Sequence, residues 1–378
     1  MRHWLTALAI LSIAAAQFTA TETRSAVEPD AGCGTPANLQ DGWSVAPPQQ
    51  QGLDPAMLCA MGNGVADGRL AEVDSIVVVR HGVLVYEGYF NRPNRARLAF
   101  DATTKHEGHS MTKSVTSLLV GIAVDRGLIK DLDTPVLSFF PEYADLATPE
   151  KNRITLRHLL TMSAGWGGDD AKPPRAMPLA SPYRTMLERE VETEPGSTFK
   201  YDSDSTELLA AVLQKVTGKT LDILAKEELF EPLGIVDVAW QRHLPNGSPM
   251  ASTALVARPR DWAKLGQLVL NRGTWQGQQI VSSSWIDLST SMQKSATTTP
   301  DGSASRLAYG FQWWLGRSSN DGRVVDWTAA MGFNSQKTII APSLDLVVVF
   351  NASRQSKRMV APEMDLLDQH ILPAIASR

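Results

Sequence analysis

Apolar and polar positions follow two regimes along this chain: strand-like runs near both ends and helical spacing between them. Ser75 to Arg80 and Val83 to Tyr89 are β-branched runs on either side of His81-Gly82, and they predict a hairpin. Ahead of them, Gly52-Leu53-Asp54-Pro55 predicts a helix reaching about Asp67-Gly68, because Asp54 can cap it and Pro55 suits its first position. A longer helix is expected from near Ser110 to Arg126-Gly127, with Val115, Leu118, Leu119, Ile122 and Ala123 on one buried stripe. Helical spacing recurs over 154–162, 205–217, 221–229, 259–271 and 283–291. Strand patterns return over 309–315, 324–328, 336–340 and 346–351, and a last helix is expected over about 361–376. The polar run Ser295 to Ser305 and the Gly-, Pro- and Asp-rich run Ala164 to Pro182 read as loops.

Strands from both ends around a helical middle imply one antiparallel sheet with flanking helices, an α/β (α+β) fold. In that reading residues 27–378 form one domain, with 33–130 and 295–378 giving the sheet region and 131–294 a helical insertion. A chain of 378 residues can bury a full core, and 43% apolar with 20% charged residues is ordinary globular composition. A net charge of −4 without a Lys/Arg block argues against a nucleic-acid partner.

The start of the chain changes the picture. Met-Arg-His, the apolar run Trp4 to Ala16 and the small residues Ala14-Ala15-Ala16 predict a secretory signal, with cleavage between Ala16 and Ala26. The run falls short of the roughly 20 apolar residues of a membrane span, so residues 1–26 are read as signal and leader of a periplasmic or secreted protein with no membrane span in its mature chain. Export would let Cys33 and Cys59 form a disulfide that clips the N-terminal arm to the first helix; the alternative is two unrelated thiols.

Chemistry concentrates at Gly108-His109-Ser110-Met111-Thr112-Lys113-Ser114. A serine at the first turn of a helix meets exposed N–H groups and the positive end of the dipole. Lys113 lies one turn on, on the same face, within reach of the Ser110 hydroxyl. A buried lysine can give up its proton and act as base for the serine. The alternative is a capping serine beside a solvated lysine. Tyr201, in the turn before the 205–217 helix, can shuttle a proton or simply satisfy backbone groups. Gly332, in Ala330-Met331-Gly332-Phe333, would let substrate approach an edge strand, so that the N–H groups of Phe333 and Ser110 form an oxyanion hole; an ordinary strand-end turn is the alternative. Trp166 and Trp314 are read as core or cleft wall. No Cys/His metal cluster is visible, Gly108-x-Ser110 lacks the last glycine of a nucleophile elbow, and no metal or cofactor is expected.

Ser-x-x-Lys, then Tyr201-x-Ser203, then a glycine-bearing strand: in this order the chain resembles the serine β-lactamase and penicillin-binding superfamily, over roughly residues 41–376. More narrowly it resembles the class C-like branch with the family VIII esterases and 6-aminohexanoate-dimer hydrolases. Supporting phrases are Asp41-Gly42-Trp43, Ile154 to Met162, Arg260 to Gly266 and Tyr309-Gly310-Phe311-Gln312-Trp313-Trp314. The resemblance implies Ser110 as acylated nucleophile, Lys113 as its activator, Tyr201 as proton shuttle and the N–H groups of Ser110 and Phe333 as oxyanion hole; Ser203, Gly332, Trp166 and Trp314 are expected to contact the substrate. One departure matters: Ala330-Met331-Gly332 stands where the family's β-lactamases and cell-wall peptidases carry Lys-Thr-Gly or His-Thr-Gly. Without that cation and hydroxyl a substrate carboxylate loses its partners. The expected activity is therefore cleavage of small-molecule esters, with an oligoamide hydrolase as alternative and β-lactam or D,D-peptide cleavage as a weak activity. A non-catalytic acyl-binding sensor, or a scaffold with a closed cleft, is the alternative of another kind.

Overall fold

The computed structural model describes residues 32–91, 100–168, 182–298, 304–320, 323–353 and 362–376. The expected signal segment and most of the 164–182 loop lie outside them. The chain begins with β1 (Ser44–Val45), α1 (Pro55–Ala66), β2 (Ser75–Arg80), β3 (Val83–Tyr89), β4 (His106–Glu107) and α2 (Met111–Asp125). The middle carries α3 (Leu156–Leu160), α4 (Pro182–Leu187), α5 (Asp204–Thr217), α6 (Leu221–Ala225), β5 (Ala239–Trp240), β6 (Leu255–Ala257), α7 (Pro259–Leu270), β7 (Thr274–Trp275), β8 (Gln278–Gln279) and α8 (Ser283–Ser289). The end supplies β9 (Lys294–Thr298), β10 (Ala304–Tyr309), β11 (Trp314–Asn320), β12 (Arg323–Gly332), β13 (Gln336–Ala341), β14 (Leu346–Asn351) and α9 (Pro362–Leu366), which runs on helically to Ala374.

The main sheet has the order β1-β3-β2-β14-β13-β12-β11-β10-β9 and is antiparallel except for the β1–β3 pair. The two ends of the chain join where β14 pairs with β2, Val348 opposite Val78. Alternation along these strands sends side chains to two cores. Val77, Val79, Val347 and Val349 face α2, α5 and α7, whereas Ile76, Val78, Val348 and Phe350 face α1 and the C-terminal helix. A sheet covered on both faces explains why β2 and β14 are buried at every position.

Three expectations need correction. The run 309–315 is not one strand: β10 ends at Tyr309 and β11 starts at Trp314, with Gln312 in the left-handed region at φ 65°. The N–H of Phe311 donates to Ser289 O and that of Gln312 to Leu160 O, so tertiary partners take these groups away from a ladder. The polar run 295–305 is not all loop; most of it lies in the β9–β10 hairpin at the sheet edge, where one face needs no apolar residues. The glycine-bearing strand is not an edge strand, since β12 lies between β11 and β13; Gly332 instead ends it.

The phrases that carried the resemblance meet in space. Buried Arg260 binds Glu87 (2.6 Å) and Asp41 (3.3 Å), and Trp43 Nε1 donates to Arg260 O (3.2 Å), which fixes α7 to β3 and the N-terminal arm. Cys33 and Cys59 are joined in a disulfide, tying that arm to α1.

His106 on β4 is 4% exposed, stacks on Phe100 at 5.4 Å, and its Nε2 has no hydrogen-bond partner. Burial pushes its pKa down to about 4, against an ordinary value near 6.5. Between those values the unfolded chain holds a proton that the folded protein refuses. This contribution to stability is therefore complete above pH 6.5 and is lost as pH falls toward 4, by about 3 kcal/mol in all. Urea denaturation at pH 7, 5 and 4 should show a shallower acid loss for His106→Phe than for the wild type; identical slopes would refute the assignment.

Candidate active site

Ser110 sits at the junction of two local structures. β4 pairs with β6, His106 opposite Ala257, and the Gly108 N–H donates to Leu255 O (2.9 Å). Gly108 is packed so tightly on Trp262 that an added Cβ would lie 2.3 Å from its ring. His109 then takes φ 47°, a left-handed conformation rare for a side-chain-bearing residue, and turns the chain into α2 within one residue. Ser110 is the N-cap of α2 and is half-buried.

Lys113 is 1% exposed. Its Nζ donates to Ser110 Oγ (3.4 Å), to Ser203 Oγ (3.4 Å) and to the Ser252 carbonyl (3.0 Å). It also lies 5.1 Å from the centre of the Tyr201 ring. The Tyr201 ring stacks on Trp314 (5.6 Å), while its phenol oxygen is buried without a hydrogen-bond partner. A buried phenol left unpaired is costly and is expected where a group has work on a ligand.

The turn bearing Tyr201 and Ser203 is held from below. Asp202 accepts from Ser205 N and Ser205 Oγ (2.8 Å each), and buried Arg189 binds Asp204 (2.9 Å), Asp202 (3.5 Å) and the Gly167 carbonyl (3.1 Å).

The end of β12 reaches the same place. A Cβ on Gly332 would lie 2.1 Å from Gly108 O, so the strand meets the Gly108–Ser110 turn backbone to backbone. Phe333 follows, 61% exposed, with its ring edge-on to His109 at 5.8 Å. Burial pushes the His109 imidazole below its ordinary range; Glu107, 3.2 Å away, opposes this and Arg242 reinforces it.

The structure thus gathers Ser110, Lys113, Tyr201 and Ser203 through mutual contacts, sets Trp314 against Tyr201, and brings Gly332 and Phe333 to the Gly108–His109 turn. Trp166 stands apart, 3% exposed in the helical core and linked to the Tyr201 turn through Lys200 and Arg189. Ser252 and Glu207 were not legible beforehand. Ser252 lies in an irregular stretch and acts through its carbonyl, which every residue possesses, and Glu207 reads as one more acid on a helix.

The geometry is that of an activated serine with a lysine and a tyrosine behind it. The model of the family described as Beta-lactamase matches residues 60–372. The chain belongs to this family of serine hydrolases. A 6-aminohexanoate-dimer hydrolase from Paenarthrobacter ureafaciens is 23% identical over 297 residues, 73% of this chain and 71% of that protein. A penicillin-binding-protein homologue from Caulobacter crescentus superposes with a TM-score of 0.68 at 17% identity, covering 84% of this chain and 96% of its own. A family VIII carboxylesterase gives a TM-score of 0.63 at 18% identity, with the same coverages of 84% and 96%. These structures share the fold of this β-lactamase-family hydrolase.

The Gly332 contact has a direct consequence. Gly332→Ala must push β12 away from the Gly108–Ser110 turn, and a displacement near 1 Å is worth about 100-fold in rate. Steady-state kinetics should show that loss mainly in kcat, at temperatures well below a melting point that the clash itself lowers; full activity would mean that the strand end does not serve the site.

Proposed function

We propose that this β-lactamase-family hydrolase is an exported carboxylesterase that cleaves small-molecule esters through an acyl-enzyme on Ser110. The observation that carries the reading is the buried Lys113 Nζ touching both Ser110 Oγ and Ser203 Oγ, with the unpartnered Tyr201 phenol beside it. With Lys113 in its neutral amine form, Ser110 Oγ attacks the carbonyl carbon and its proton passes to the Lys113–Tyr201 pair. The carbonyl electron pair moves to oxygen, where the N–H groups of Ser110 and Phe333 receive it. Each such donor is typically worth about 2.7–4 kcal/mol in the transition state. Collapse breaks the bond to the leaving oxygen, which takes a proton from Tyr201, and water then releases the acid by the same path in reverse.

The strand beside the nucleophile favours an uncharged acyl group. Ala330 and Met331 are 4% and 6% exposed and offer neither cation nor hydroxyl, while the exposed Phe333 ring on His109 makes an apolar lip. Small amides are the second reading, favoured by the match to a 6-aminohexanoate-dimer hydrolase over 73% of the chain. Export rests on the N-terminal apolar run with its small-residue end.

Turnover of p-nitrophenyl acetate and butyrate, compared with Ser110→Ala, tests this. Multiple turnovers by the wild type and a loss of at least about 1,000-fold in the variant are expected. Equal rates in both would remove Ser110 as nucleophile. A burst of one equivalent without turnover would mark an acyl-binding sensor.

A further inference from the structure

Lys113 has almost no access to water, and its partners among the described residues are Ser110, Ser203, the Ser252 carbonyl and the Tyr201 ring, none of them a carboxylate. An ammonium in such a place costs several kcal/mol unless a counter-charge offsets it. The nearby α5 supplies one. Glu207 is 2% exposed, and its Oε2 accepts from the Ala251 N–H (2.8 Å) while its Oε1 accepts from the Ser252 N–H (2.9 Å). A carboxylic acid would need an acceptor for its own O–H, whereas here both oxygens already face donors, the arrangement of a carboxylate. Its place in the first turn of α5 adds the positive end of the helix dipole. The residue held by Glu207 is the residue that holds Lys113: Ser252 donates its N–H to the carboxylate and offers its carbonyl to Nζ (3.0 Å). Thr116 Oγ1 donates to Ala251 O (3.0 Å) and Leu255 N to Thr112 Oγ1 (3.3 Å), so this segment is locked to the helix that bears Lys113.

From this geometry we infer that Glu207 is a positioning residue that serves as the buried counter-charge of Lys113, acting through the Ala251–Ser252 backbone and setting the pH range in which Lys113 activates Ser110. Burial pushes the Glu207 carboxyl above its ordinary range, and the Ser252 hydroxyl, the two N–H donors and the Lys113 charge pull it back toward the carboxylate. Other titratable groups face the pair. Tyr183 of α4 interacts with Glu207 and its phenol is pushed up by burial; Tyr201 lies against Lys113; Glu107 and His109 flank Ser110 at the start of α2. None of these is a carboxylate bonded to the Ser252 segment at its backbone N–H groups.

The inference rests on Ser110 as nucleophile, and the experiment separates the two claims. The rate at which a fluorophosphonate labels Ser110 is measured from pH 5 to 10 in the wild type and in Glu207→Gln. Failure to label the wild-type serine would overturn the nucleophile assignment before Glu207 is considered. An ammonium without its counter-charge gives up its proton more readily, so the acid limb of the Glu207→Gln profile should move to lower pH by about one unit. A uniform loss at every pH with the limb in place would show a merely structural role and overturn the inference. If Glu207→Gln does not fold, the double variant Lys113→Met/Glu207→Gln decides. Removing both charges should restore a cooperative melt, and failure to do so would equally sink the idea.

Discussion

The burial of one lysine ammonium organises this molecule. Lys113 carries three N–H donors into a place with almost no water, and each donor must find an acceptor there. The acceptors come from three parts of the chain: Ser110 at the start of α2, Ser203 at the start of α5, and the Ser252 carbonyl. If any of them moved away, an unpaired donor would remain buried, at about 1–3 kcal/mol or more for a charged group. Positioning of Ser110 and stability of the helical region are therefore one requirement.

Other buried polar groups repeat this logic around the site. Gln312, 1% exposed, accepts from Thr206 of α5 (2.8 Å), donates from its side chain to the Leu159 and Leu160 carbonyls of α3, and offers its own carbonyl to Ser114 of α2 (2.7 Å). One residue in the β10–β11 turn thereby joins three helices to the sheet. Its left-handed backbone persists because these bonds over-determine it. Arg189 does the same for the Tyr201 turn and Arg260 for α7. Polar groups bonded to several elements in this manner favour one arrangement over near alternatives, which a reacting centre needs.

The opening beside the nucleophile is built differently. Gly332 permits backbone contact, Ala330 and Met331 bury apolar side chains, and Phe333 places an aromatic ring at the rim. Ala330, Met331 and Phe333 thus give this side an apolar character, and apolar contacts discriminate between ligands weakly.

Much of this was written in local sequence. The β2–β3 hairpin was legible to the residue, because β-branched runs around His81-Gly82 leave few alternatives. So were α1 with its Asp54 cap and α2 with Ser110 at its head. The order Ser110, Lys113, Tyr201, Ser203 and Gly332 named the candidate chemistry, since a one-turn spacing is itself a distance in a helix. What local pattern could not supply was whatever depends on partners far along the chain. The break at Gln312 follows from acceptors on α3, the β9–β10 hairpin from a neighbouring strand, and the interior place of β12 from sheet order. The role of Ser252 lies in a backbone carbonyl, which carries no side-chain signature. Local spacing determined which residues could react; only the tertiary structure decided which backbone groups hold them, because hydrogen bonds between distant segments leave no periodic trace in sequence.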